Sequence, residues 1–122
     1  MNAKHMGTER GSVSLHAVWV ATALLVLALI MTEAAALIAM RHRAAAAADL
    51  AALAGSRASV NGHDGCQAAR RSARANHAEL TSCRMDYDVA TVTARAESSR
   101  WWGHRWAAEI KARAAPDFYL DP

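Results

Sequence analysis

The residues of this chain that could do chemistry are few and widely spaced. His63-x2-Cys66 and His77-x5-Cys83 bring together ligand types that zinc uses, but neither pair has the spacing of a zinc finger. No metal and no cofactor is therefore expected. Arg70, Arg71 and Arg74 cluster with His77 on one side of a candidate helix, where they can meet DNA phosphates or anionic headgroups, or simply water. Glu33 and His16 fall at either end of a long apolar run, which makes them candidates for membrane or assembly contacts. The sequence holds no Gly-rich phosphate loop, no purposeful acid pair and no Ser/His/Asp arrangement. It reads as a non-enzyme without a small-molecule substrate.

The element that dominates the chain is the apolar run itself. Val13 to Thr32 supplies 20 residues with only Ser14, His16 and Thr22 as mild polar exceptions before its last residue, and a bilayer core about 30 Å thick needs about that many in a helix. The helical pattern continues through Ala34–Met40 into the alanine-rich stretch Arg41–Ala54. One helix from Val13 to Ala54 would be on the order of 60 Å long, about twice the membrane's thickness. Its second half is amphipathic: Ala46, Ala47, Leu50, Leu53 and Ala54 form the expected contact stripe, with Arg43 and Asp49 off it. A signal peptide has a shorter apolar region, although Thr32-Glu33-Ala34-Ala35-Ala36 imitates a cleavage site. Release of a secreted small domain is therefore an alternative. Glu33, at the end of the run, reads as interfacial.

After the turn-rich "SVNGHDG", Asp64 can cap a second helix from Gly65 to about Glu79, with Cys66, Ala69, Ala73 and Leu80 on its apolar side. Cys83, Met85, Tyr87 and Val89 then alternate with Arg84, Asp86 and Asp88 as in a strand. Ala90, Val92, Ala94 and Ala96 alternate in the opposite register, so a hairpin turn or bulge is expected near 86–88. Ala107–Ala114 suits a strand, though Glu109 and Arg113 also suit a helix. "RWWGHRW", Arg100–Trp106, reads either as a hairpin tip or sheet edge, or as a membrane-interface contact. The fold class is α+β: a long N-terminal transmembrane and amphipathic helix, a second helix and a small antiparallel sheet.

The two cysteines bear on topology. A second helix laid on the sheet would bring Cys66 and Cys83 into one interior layer, where they are expected to bond to each other, with two buried free thiols as the alternative. A bond fits an extracytoplasmic domain and free thiols a cytoplasmic one. Charge points weakly the other way, with Lys4 and Arg10 before the run against Arg41, Arg43 and Arg57 after it. The residues alone leave orientation open.

"ERGSVSLHAVWVATALL", "RHRAAAAADLAALAGS", "GCQAA" and "SCRMDYDVATVTARA" resemble the small TadE/TadG-like proteins of actinobacteria, which are encoded near secretion and Flp (tight-adherence) pilus assembly genes. The resemblance runs from Glu9 to Ala115. It implies a pilin-like membrane protein: 1–12 a short cytoplasmic leader, 13–40 the transmembrane helix, 41–58 its continuation outside the membrane, 59–115 an extracytoplasmic α+β domain and 116–122 an irregular tail. The implied role is structural or accessory in a pilus or secretion apparatus. The implied partners are membrane lipid and other assembly proteins, with DNA binding through the Arg face as the alternative. A prepilin cut between Gly11 and Ser12 would put His16 at the fifth position of the mature chain, where such proteins usually carry Glu. Processing there is not expected.

Overall fold

Helix α1 runs Glu9–Val60, beyond the expected stop at Ala54: Gly55 lowers the intrinsic propensity there, but no proline interrupts the helix before Gly62. The computed structural model describes residues 9–98 and 103–119, with side chains over 13–98 and 103–118. Asn61 and Gly62 end α1. Gly62 has φ +75°, its N–H donates to the Ser59 carbonyl at 2.9 Å, and the His63 N–H reaches back to the Ala58 carbonyl at 2.8 Å. That bond pair is the Schellman ending, which requires a left-handed residue where Gly62 stands.

Asp64 caps α2, Gly65–Ala75, by accepting from the Gln67 N–H at 3.0 Å. The expected continuation to Glu79 is corrected. Asn76 is the C-cap and His77 takes φ +57°, its N–H donating to the Arg74 carbonyl while the Ala78 N–H donates to that of Ala73. This is a second Schellman ending, with a histidine in the place glycine usually fills. Leu80 and His77 thus lie outside the helix, and the first strand starts four residues before Cys83.

Strands β1 (Glu79–Asp86), β2 (Val89–Glu97) and β3 (Ala107–Ala114) form an antiparallel sheet in the order β1-β2-β3. Asp86 pairs with Val89, so Tyr87 and Asp88 make a two-residue hairpin loop where the alternation changes phase. A shift between Leu80 and Ser82 marks a bulge in β1. Ala107–Ala114 is strand, as its alternation favoured. The tail adds a 3-10 turn at Asp117–Tyr119, so its beginning is not irregular.

The chain divides into two units, Met1–Ala36 and Leu37–Pro122. In the first, every described side chain from Val13 onward is exposed. The second has a core of methyl groups. Met40, Ala44, Ala47, Ala48, Ala51 and Ala52 of α1 cluster with Ala69 and Ala73 of α2 and with Val92, Ala94, Ala96 and Ala112 of the sheet. This corrects the expected contact stripe: of its members only Ala47 is buried, Ala54 is half-buried, and Ala46, Leu50 and Leu53 are exposed. The inner face of β2 is itself alanine-rich, so the helix seats closely only through its smallest side chains. At the end of the stripe Gly55 meets Gly65, and a Cβ built on Gly65 would stand 2.7 Å from the Gly55 carbonyl oxygen.

Candidate functional site

Two features carry the functional argument: the apolar part of α1 and the bonded face of the second unit. α1 is long and apolar enough to cross a membrane. Val18, Leu24, Leu25, Leu27, Leu29 and Ile30 are all exposed. The threonine hydroxyls among them are satisfied within the helix. Thr22 Oγ1 donates to the Val18 carbonyl at 2.8 Å and Thr32 Oγ1 to that of Ala28 at 2.8 Å, so neither presents an unpaired donor to an apolar surrounding. His16 and Glu33 are exposed in this unit, and 17 residue steps of ~1.5 Å separate them by about 25 Å along the axis. That is close to the thickness of a bilayer core. Gly11 and Ser12 lie inside α1 rather than in a segment before it.

In the second unit Cys66, the second residue of α2, is bonded to Cys83 in β1, with their Cα atoms 5.8 Å apart. The free-thiol alternative is thereby excluded, and neither sulfur is available to a metal. Among the described residues no three His, Cys, Asp or Glu side chains converge on a metal position. The link matters because the core is thin: Val92 is the largest fully buried side chain among the described residues, and a buried methyl contributes only about 0.8 kcal/mol.

Arg70, Arg71 and Arg74 are exposed on α2, outside every ion pair of the described residues. Arg74 also sits in the last turn, where a cation complements the helix dipole. The cluster makes one basic face and brings no acid or nucleophile with it. Of the "RWWGHRW" segment, Arg100, Trp101 and Trp102 lie outside the described residues. Gly103 turns with φ +77°, Arg105 approaches Glu97 at 3.6 Å, and Trp106 continues the β2–β3 ladder.

Sequence reasoning missed a latch between α1 and the β1–β2 loop. Ser56 Oγ donates to the Asp88 carbonyl at 2.7 Å. Ser59 Oγ lies 2.8 Å from Asp88 Oδ1 and 3.2 Å from the Tyr87 carbonyl, and its single proton serves one at a time. The latch holds Tyr87 at φ +56°, with the residue 91% exposed. Two serines three residues apart at the end of an alanine stripe are the only signal of it, and a weak one. No family model, curated protein or solved structure matches the chain.

Proposed function

We propose that the protein is a pilin-like single-pass membrane protein of the TadE/TadG type, a structural or accessory component of a Flp-type pilus or secretion apparatus. The observation that carries this reading is the exposed apolar surface of α1 from Val13 to Ile38. At about 25 cal/mol per Å², leaving such a surface in water is costly, and lipid or neighbouring helices relieve that cost. Its threonine hydroxyls are already bonded to its own carbonyls, as a lipid surrounding demands. The Cys66–Cys83 bond supports an outward second unit and hence a cytoplasmic N-terminus, because disulfides persist in oxidising compartments.

In this reading α1 anchors and laterally packs the protein, and the disulfide-bonded unit meets other assembly components. Three Arg on one exposed face support DNA binding as the second reading. Fractionation of cells that make the protein tests the first. Retention in carbonate-washed membranes, with or without recovery in sheared surface filaments, is the expected result, and the filament fraction separates a subunit from an accessory. A soluble mature chain beginning at Leu37 would overturn it in favour of a cleaved signal.

A further inference from the structure

One end of the second unit carries a tryptophan that its own core leaves half uncovered. Sheet and helix run along each other, because the buried side of α1 extends from Met40 to Ser56, 16 residue steps or about 24 Å, whereas three strands side by side span only about 10 Å. Their ends can be matched. A Cβ built on Gly55 would stand 3.2 Å from that of Ala90, and Ser56 bonds to the Asp88 carbonyl, so β2 starts beside Ser56 and runs back toward Met40. From Asp88 to Ser98 is ten steps of strand, about 33 Å, and from Ser56 back to Leu37 is nineteen steps of helix, about 29 Å. A strand tilted modestly from the helix axis therefore ends level with Leu37. There the ladder closes, the Ser98 N–H donating to the Trp106 carbonyl at 2.8 Å and the Trp106 N–H to Ser98 Oγ at 3.1 Å. By alternation Trp106 shares the face of Ala108, Ile110 and Ala112, which is the face that carries α1. Yet it is 54% exposed. Leu37, Ile38, Arg41 and Arg105 are exposed at the same end.

We propose that this end of the second unit lies in the headgroup layer of the bilayer that α1 crosses, with Trp106 and Ile38 at the edge of the hydrocarbon and Arg41 and Arg105 on lipid phosphates. The inference rests on the membrane-anchored function proposed above and adds a second point of attachment to it. The level is right. The apolar run ends at Met40 and Arg41 follows at once, so the boundary of the hydrocarbon falls where the ladder ends. The headgroup layer is about 5–7 Å deep on each side, enough to hold the end of a hairpin and little more. The chemistry is right as well. A tryptophan ring is apolar with one N–H to satisfy, which the interface offers and neither water nor hydrocarbon does. Arginines beside it can reach phosphate oxygens while their stems stay on the apolar side. Arg105 has only a 3.6 Å approach to Glu97, an acid that Arg95 already holds at 3.1 Å. Tyr87, at the other end of the hairpin, is left roughly 30 Å away in water.

Spin labels on the full-length protein in vesicles of phosphatidylcholine and phosphatidylglycerol test this, since the native cysteines are bonded to each other and a single new thiol takes the label. Depth is read from collisions with dissolved oxygen against those with a nickel chelate present on both sides. His104→Cys, at an exposed position two residues before Trp106, is expected to place its label within about 7 Å of the hydrocarbon boundary. Tyr87→Cys should read as bulk water. Trp106→Ser with Arg105→Gln, added to the His104→Cys protein, should shift its label toward the bulk-water value. Leu25→Cys is the reference for the anchor. A label in hydrocarbon at 25 but in bulk water at 104 overturns the proposal alone. One outside hydrocarbon at 25 overturns the membrane reading of α1, and the proposal with it. Two further results would overturn it: a label at 104 unmoved by the double change, and a depth lost as the protein is diluted in lipid, which would make a second copy the cover.

Discussion

Replacing Gly65 by alanine adds one methyl at the tightest crossing in the second unit. The new Cβ would stand 2.7 Å from the Gly55 carbonyl oxygen and 2.8 Å from both Sδ and Cε of Met85. Met85 is flexible and can swing aside. The carbonyl belongs to α1 and can yield only if the helix moves, which would lift the alanine stripe off its seat. Overpacking of this kind costs about 1–3 kcal/mol, and alanine's better helix propensity returns less than about 1 kcal/mol. A net loss of about 1–2 kcal/mol lowers Tm by about 5–15 °C in a domain of this size. Thermal unfolding of the full-length protein in detergent, followed by circular dichroism and tryptophan fluorescence, measures it. Gly62 supplies the control. It has φ +75°, and nothing lies within 4 Å of the point where an added methyl would stand. Gly62→Ala therefore loses stability through the backbone alone, and Gly62→Asn should recover part of it because asparagine tolerates that region. Gly65→Asn should recover nothing. A Gly65→Ala protein as stable as the wild type would refute the close-contact argument.

Three further outcomes are expected. Cys66→Ala with Cys83→Ala should lower stability by about 3 kcal/mol, from the loop spanning a sequence separation of 17, seen as a lower urea midpoint; an unchanged midpoint under non-reducing conditions would deny the bond its role. Exchanging Arg70, Arg71 and Arg74 for glutamine should leave any binding to duplex DNA, and its slope against log salt, unchanged if the face is merely solvated; a slope that falls by about 0.9 per arginine would favour the DNA reading. Mass spectrometry of the native protein should not find Ser12 first, because His16 then stands where prepilins carry Glu.

What the sequence disclosed follows from which signals are local. The apolar run, the Asp64 cap and the opposite alternations on either side of Tyr87 are each written in a few neighbouring residues, so α1, the start of α2 and the β1–β2 hairpin were legible. The end of α2 was not. His77 adopts φ +57° without the glycine that normally announces such a position, and the helical pattern runs on through it to Glu79. Tyr87 is a second case, a bulky residue at φ +56° in a loop with no Asn-Gly or Asp-Gly signal. The disulfide was legible because two cysteines allow one internal bond and a helix laid on the sheet brings Cys66 and Cys83 into one layer. The Arg face could be placed on α2, but its exposure leaves it without any geometric feature that tells a phosphate site from a wet surface.

The misread face of α1 has the same origin and yields the last prediction. In "AAAAADLAALAGS" alanine occupies every side of the helix, so the leucines are the natural markers of an apolar stripe. Hydrophobicity ranks candidates for burial, but the space available decides among them. Here the opposing surface is Ala90, Val92, Ala94 and Ala96, which leaves room for a methyl and not for an isobutyl group. Ala48 is 0% exposed, whereas Leu50 is 46% exposed. Ala48→Leu, which raises hydrophobicity, should therefore destabilise the second unit by at least about 1–3 kcal/mol through overpacking. Leu50→Ala, which lowers it, should cost under about 1 kcal/mol, since much of that side chain is already in water. Both are helix-favouring residues, so propensity contributes little to either change. Urea unfolding of the two variants in the same detergent gives the order directly. If Leu50→Ala proves the more damaging, leucine rather than alanine faces the sheet.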